Sequence, residues 1–215
     1  MKSWASETGP GASRRQSLLR SALALLMLGA LLWALPSRKA GEGDHHAAHQ
    51  PVLDAYERAG LVELREGQHG PTFALRSLDG GATTLAELTR NHLVVLNFWA
   101  TWCQPCTLEM PTLEALWRDY RDRGLSVAAI SVDRGAPRDL LVPYVRGLDL
   151  SFPILLDPDA KTADAWRVNG LPATFVIKPG GEVAGFAMGA REWNSAEMRA
   201  LLESLLPASQ GLSKE

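Results

Sequence analysis

An apolar run that leads directly into a cysteine pair is the feature of this chain that most limits its fold. Residues 93–99 read Leu-Val-Val-Leu-Asn-Phe-Trp, and Cys103 and Cys106 follow after a short connection. A continuous apolar run of this length is typical of a strand covered on both faces in the centre of an α/β sheet. We therefore predict a central strand, a turn that carries the cysteines, and a helix that begins near Pro105.

Cys103 and Cys106 are the only cysteines of the chain, and their spacing favours thiol–disulfide exchange. At a helix start the Cys103 sulfur would face unpaired backbone N–H groups and the positive end of the helix, which favour the thiolate. Cys106, one turn further along, would be better shielded and suited to resolving a mixed disulfide. Zinc binding is one alternative, but a structural site needs four ligands, and no second cysteine pair or downstream histidine exists. A static disulfide or two buried thiols is the other alternative.

The remaining residues predict a scaffold of alternating helices and strands. Leu113, Leu116, Trp117 and Tyr120 recur at helical spacing, and Pro111 should kink that helix without ending it. A short helix and an extended piece are expected within residues 51–69. The further predicted elements are a hairpin around Asp79-Gly80-Gly81, strands at 125–132, 152–156, 175–178 and 182–188, and helices after Pro137, at 160–166 and at 198–205. Trp166 and Trp193 are expected to pack in the core or at its edge.

Four motifs follow one another in order along the chain. They are Asn97-Phe98-Trp99-Ala100-Thr101-Trp102-Cys103, the partner Cys106, Glu109-Met110-Pro111, and Gly170-Leu171-Pro172-Ala173-Thr174-Phe175. Together they resemble the thioredoxin-like TlpA/ResA/CcmG family of membrane-tethered disulfide reductases, over about residues 70–206. The resemblance implies an α/β thioredoxin-like fold: a central mixed β-sheet flanked by helices, with an N-terminal β-hairpin extension, after a transmembrane helix.

The resemblance also implies a role for each matching residue. Cys103 attacks the client disulfide and Cys106 resolves the mixed disulfide. Pro172 is cis and packs beside the dithiol, and the Leu171 backbone pairs with the substrate. The substrate-binding residues expected on this basis are Trp102, Gln104, Pro105, Leu171 and Pro172. No cofactor and no metal are expected.

Glu109 lies one helical turn after Cys106, so its carboxylate could reach the dithiol region. By resemblance, a glutamate at this place forms an acidic pocket that tunes the protonation of the thiols and relays a proton to the leaving sulfur. The alternative is a solvated carboxylate on the helix surface. Asn97 stands where many thioredoxins bury an aspartate, which leaves Glu109 as the better proton carrier.

The N-terminal segment predicts a membrane anchor. Residues 1–40 contain six basic residues against one acidic residue, and residues 21–35 carry no charge. That length lies between a signal-peptide core and a membrane span, which needs about 20 residues. Cleavage after Ala40 would place Arg38 where a small residue is needed, so we favour an uncleaved anchor over a removed signal. The basic start orients the chain with its domain in a bacterial periplasm; the twin-arginine pattern at 14–15 is weak.

The predicted organisation has four parts. Residues 1–36 form the cytoplasmic start and signal anchor or signal peptide, 37–69 a tether and edge segment, 70–207 the thioredoxin-like domain, and 208–215 a tail. His45, His46 and His49 could bind a metal, but a flexible polar tether is the simpler interpretation. The chain carries a net charge of −2 despite its basic start, so the domain is acidic and nucleic acid is not an expected partner.

These observations predict a periplasmic thiol-disulfide oxidoreductase that reduces disulfides in client proteins. The resemblance implies apocytochrome c or oxidase copper-assembly proteins as clients, and a membrane electron donor of the DsbD/CcdA type. A Sco-like copper chaperone stays an alternative, although its cysteines have three residues between them, not two, and a downstream histidine completes its site. Every histidine of this chain precedes Cys103. A peroxiredoxin-like thiol peroxidase is the second alternative, although Cys103 stands where its threonine would precede Cys106.

Overall fold

A computed structural model describes residues 55–135 and 137–207. One mixed β-sheet forms the centre of this part of the protein. Its eight strands are β1 (Val62–Glu63), β2 (Ala74–Ser77), β3 (Ala82–Thr84), β4 (Leu93–Trp99), β5 (Leu125–Ser131), β6 (Ile154–Leu156), β7 (Ala173–Ile177) and β8 (Val183–Met188). Their spatial order is β1-β8-β7-β4-β5-β6-β2-β3. The neighbours β4, β5 and β6 are parallel, and the other neighbouring pairs are antiparallel.

Helices cover both faces of this sheet. They are α1 (Leu85–Leu88), α2 (Gln104–Tyr120), α3 (Pro137–Gly147), α4 (Lys161–Ala165) and α5 (Ala196–Leu205). Local sequence explains several of their starts: Thr84 and Glu87 form a reciprocal capping box at α1, and the Ser195 hydroxyl accepts the Met198 N–H at α5. Helix α2 continues through Pro111, as predicted, and the chain leaves it through a 3-10 turn that ends at Gly124.

The central strand β4 divides the core into two layers. All seven of its residues are buried, and its bounds are those the apolar run predicts. Because side chains alternate along a strand, Leu93, Val95 and Trp99 pack toward α2 and α5, while Val94, Leu96 and Phe98 pack toward α1 and α4. Asn97 belongs to the first set by this alternation, so the polar residue of the strand points toward the helix that carries the cysteines.

Both edges of the sheet carry the extensions that the sequence predicts. The hairpin of β2 and β3 joins the sheet through β6. At the opposite edge, residues 55–58 form one helical turn, and β1 pairs with β8. A Cβ at Gly185 would lie 3.0 Å from both the Tyr56 ring and the Val62 carbonyl oxygen, so a glycine in β8 allows β1 to approach.

Element bounds differ from the predicted ones mainly beside prolines. The strand predicted at 152–156 begins only at Ile154, because Pro153 has no N–H to give to the ladder. The strand predicted from 175 begins earlier, at Ala173, immediately after Pro172. The predicted anchor, the tether, and His45, His46 and His49 lie outside the described residues. Within residues 55–135 and 137–207, no helix has the length and apolar character that a membrane span requires.

Candidate active site

Cys103 and Cys106 form a disulfide at the start of α2, with their Cα atoms 5.3 Å apart. Cys103 is the N-cap residue of the helix, and its sulfur accepts the backbone N–H of Cys106 at 3.3 Å. Its exposed fraction is 6%, whereas that of Cys106 is 0%. The sulfur that caps the helix is therefore also the one nearer to solvent.

This position gives the Cys103 sulfur a reason to be the more acidic thiol after reduction. The first N–H groups of a helix have no partner within the helix, and the helix dipole places partial positive charge there. A thiolate at the N-cap takes up one of these N–H groups and is stabilised by the dipole. Cys106, in the first turn of the helix, is fully buried.

A buried carboxylate stabilises the turn between β4 and Cys103 through hydrogen bonds. Asp133 is 3% exposed, and its Oδ1 accepts the Thr101 hydroxyl at 2.7 Å, while its Oδ2 accepts the Thr101 backbone N–H at 3.0 Å. The Ser131 hydroxyl donates to the same carboxylate at 2.8 Å. Asp133 follows β5, whose carboxyl end lies beside that of its parallel neighbour β4. Sequence reasoning missed this residue, although its place just after a predicted central strand was a usable signal.

Pro172 lies at the same end of the sheet as the cysteines. The Leu171–Pro172 peptide bond is cis, as the resemblance implies. Phe98 pairs with Ala173 across β4 and β7, which places Pro172 level with the turn that follows β4. The Pro172 carbonyl accepts the Gly189 N–H at 2.8 Å, so the chain after β8 braces this segment. The substrate-binding roles of Pro172 and the half-buried Leu171 stay predictions.

Exposed side chains surround the disulfide. Trp102 is 72% exposed, and Gln104 and Pro105 are also exposed, so the three predicted contact residues beside the cysteines are accessible. Met188, which pairs with Ala173 at the end of β8, adds a further apolar side chain at 46% exposure. Met188 was not predicted, because nothing in its local sequence shows that β8 ends beside Pro172.

Glu109 is buried within the protein, with 1% of its surface exposed. Its Oε1 accepts the Asn97 amide at 2.8 Å. Its Oε2 accepts the Trp193 indole N–H at 2.9 Å and the Arg191 backbone N–H at 3.2 Å. The alternative of a solvated surface carboxylate is therefore wrong, because this side of α2 faces the sheet and the segment after β8.

Two opposing effects act on the Glu109 carboxyl. Burial raises its pKa, because a charged carboxylate loses its hydration. The hydrogen bonds from Trp193, Asn97 and the Arg191 backbone, together with the Arg191 guanidinium charge, favour the ionised form. Burial is the largest effect, and the pKa is raised overall. The group can hold a proton at a pH where an ordinary glutamate is ionised.

The segment between β8 and α5 supplies groups that sequence reasoning missed. Trp193 was expected to pack, and it is fully buried, but its indole N–H also binds the Glu109 carboxylate. Trp193 lies 84 residues from Glu109 along the chain, and Arg191 lies 82. Asn97 bridges Glu109 and the Thr174 hydroxyl, to which its amide also donates at 2.8 Å. No local pattern in a single sequence reports contacts of this range.

No group of three or more His, Cys, Asp or Glu side chains in the described ranges is arranged to hold a metal ion. The tether histidines lie outside those ranges.

A cysteine pair at a helix start, a cis-proline level with it and a mixed sheet between helices define a thioredoxin-like thiol-disulfide oxidoreductase. Comparison with known proteins agrees with this class. The chain matches the AhpC/TSA family over residues 67–186, and it belongs to that family, with the thiol-disulfide oxidoreductases named ResA among its relatives.

Individual relatives support the same assignment. The thiol-disulfide oxidoreductase ResA of Oceanobacillus iheyensis is 30% identical over 178 residues, which are 82% of this chain and 83% of that protein. ResA of Geobacillus kaustophilus is 35% identical over 141 residues, covering 66% of this chain and 78% of that protein. A crystal structure of a DsbE-type thiol:disulfide interchange protein from Chlorobium tepidum superposes with a TM-score of 0.60 at 26% identity, over 67% of this chain and 99% of that one.

Proposed function

We propose that the protein reduces disulfides in client proteins, with Cys103 as the attacking thiolate. The observation that carries the proposal is the position of the Cys103 sulfur, which caps α2 at its N-terminus and accepts the Cys106 N–H. The same N–H and the helix dipole are available to a thiolate after reduction. The chemistry needs no group beyond the two cysteines and a proton carrier.

The reaction proceeds in two exchange steps. The Cys103 thiolate attacks one sulfur of the client disulfide in line, and the other client sulfur leaves as a thiolate that takes up a proton. Cys106 then loses its proton and attacks the Cys103 sulfur, which forms the Cys103–Cys106 disulfide and releases the second client thiolate. Two electrons pass from the protein to the client. Glu109, one turn beyond Cys106, is the proposed carrier of the proton that Cys106 gives up.

Client docking uses the exposed rim around the cysteines. Trp102, Gln104 and Pro105 lie on one side, and Leu171 and Pro172 lie on the segment level with the turn that carries the cysteines. The backbone of Leu171 pairs with the client chain in this proposal, which holds the client sulfur beside Cys103. Apocytochrome c and oxidase copper-assembly proteins are the proposed client classes.

The proposed location is the periplasmic side of a bacterial inner membrane, with residues 1–36 as the anchor. Its support is the basic start followed by the uncharged segment 21–35. In that oxidising compartment the Cys103–Cys106 disulfide must be reduced again after each reaction, so the proposal includes a membrane electron donor of the DsbD/CcdA type. A secreted soluble form is the alternative if residues 1–36 are removed.

Turnover of a protein disulfide tests the proposed reaction. The chain, purified in detergent and supplied with a dithiol, should reduce the interchain disulfides of insulin faster than the dithiol alone. Its rate should rise with pH through the titration of Cys103, because the thiolate is the nucleophile. Cys103→Ser should reduce the rate to that of the dithiol alone. Peroxide consumption by the purified chain, or one tightly held copper ion per chain, would instead support the two alternatives.

A further inference from the structure

The indole N–H groups of this protein differ in what they bind. Those of Trp99, Trp117 and Trp166 are shielded from solvent and have no hydrogen-bond partner among the described residues. The indole of Trp193 is fully buried as well, but its N–H donates to Glu109 Oε2 at 2.9 Å. A hydrogen bond to a buried carboxylate is among the stronger ones in proteins. Trp193 therefore does more than fill space.

Every described hydrogen-bond partner of the Glu109 carboxyl is a donor. The Asn97 amide donates to Oε1, and the Trp193 indole and the Arg191 backbone donate to Oε2. Such an arrangement favours the carboxylate over the neutral acid, whose O–H would need an acceptor. The charged group that acts on Glu109 is the Arg191 guanidinium. The cysteine pair lies about one turn earlier on α2 and does not titrate while it forms the disulfide.

The segment that carries Trp193 also braces the proposed docking edge. Gly189 donates its N–H to the Pro172 carbonyl at 2.8 Å. The Arg191 guanidinium donates to the carbonyls of Met188 at 3.0 Å and Gly189 at 3.3 Å. The Trp193 backbone N–H binds the Thr112 hydroxyl on α2 at 3.1 Å. Residues 189–193 thus connect the Pro172 segment to the helix that carries Glu109.

We propose that Trp193 is a positioning residue that sets the charge state of Glu109 through its indole N–H. Residues 189–193 also contact the Pro172 segment, through the Gly189 N–H. The inference rests on the proposed function, since it assigns Glu109 as the proton carrier of the exchange reaction. Burial raises the pKa of Glu109, and the Trp193 N–H is one of the donors that hold it down.

A carboxyl titration tests the inference without using activity. Glutamate labelled with 13C at Cδ, in the oxidised chain, gives the Glu109 signal by its absence from Glu109→Gln. Trp193→Phe removes the N–H and keeps an aromatic ring, so the midpoint of this signal should rise by about one to two pH units. Trp166→Phe is the matched control, because it removes a buried indole whose N–H has no partner, and it should leave the midpoint in place.

The readouts separate this inference from the proposed function. If the Glu109 carboxyl titrates with the same midpoint in Trp193→Phe as in the parent protein, the inference is overturned. This result does not depend on whether the protein reduces disulfides. Failure of the parent chain to reduce any disulfide would overturn the proposed function, while the titration would still decide the role of Trp193. In turnover assays Trp193→Phe should shift the pH profile, and in the Glu109→Gln background it should shift nothing further. If Trp193→Phe does not fold, benzothienylalanine at position 193 replaces only the N–H with sulfur and gives the same titration test.

Discussion

Cys103 and Cys106 lie three residues apart but occupy different environments. The Cys103 sulfur caps the helix and lies nearer to solvent, whereas Cys106, in the first turn of α2, is fully buried. A helix N-terminus stabilises a thiolate, and burial without a charge partner disfavours it. The proposed division of roles between attacker and resolver therefore rests on the backbone of a single helical turn.

Alkylation should reveal this difference directly. After reduction, iodoacetamide at neutral pH should modify Cys103 at least about tenfold faster than Cys106, because its thiolate fraction and access are both greater. Peptide mapping by mass spectrometry after short exposure measures the two rates. Faster labelling of Cys106 would reverse the assigned roles.

Glu109 should make the stability of the oxidised protein depend on pH. Its folded-state pKa is raised by burial, so the folded protein binds a proton more tightly than the unfolded chain does. The stabilisation is fully present below the ordinary glutamate pKa and is lost as the pH rises toward the raised value. Urea denaturation across this window should show the free energy of unfolding falling with pH, and falling less in Glu109→Gln.

An exposed glutamate provides the control for that measurement. Glu66 lies in the loop after β1 and is exposed. Glu66→Gln should preserve the slope of the parent protein, because an exposed carboxyl changes its surroundings little on folding. Equal slopes for the parent protein and Glu109→Gln would show that Glu109 titrates normally.

At the scale of elements, the turn that presents the cysteines depends on Asp133. The carboxylate binds both the backbone N–H and the hydroxyl of Thr101, two residues before Cys103. Asp133→Ala should lower the free energy of unfolding by about 1–3 kcal/mol, because it leaves buried donors without a partner. Urea denaturation measures the loss, and Asp122→Ala, at an exposed surface ion pair, should change stability little. Equal stability of the two variants would show that Asp133 does not fasten the turn.

The sequence predicts the elements well where the signal is local. The apolar run defines β4 to the residue, and the cysteine and proline spacing places the start of α2. The start of β6 shifts to Ile154 because Pro153 has no N–H for the ladder, a backbone effect that composition describes poorly. The surroundings of Glu109 come from groups more than 80 residues away, so sequence reasoning could name the carboxyl but not Trp193.

At the scale of the whole molecule, the distribution of charge along the chain supports the proposed location. Residues 1–40 are basic, although the whole chain carries a net charge of −2. A basic start beside an apolar segment favours retention of that end in the cytoplasm, which places residues 55–207 on the opposite side in the proposal. The remainder of the chain is acidic and offers no electrostatic footprint for nucleic acid.

Trapping of the mixed disulfide tests the central claim most directly. In the proposed mechanism, exchange passes through a covalent intermediate between Cys103 and the client, and Cys106 breaks it. In its own host, Cys106→Ser should accumulate larger species on non-reducing gels that collapse with reductant, whereas Cys103→Ser should show few or none. Mass spectrometry of the released partners then identifies the clients. Equal trapping by both variants, or none by either, would contradict a mechanism in which Cys103 attacks and Cys106 resolves.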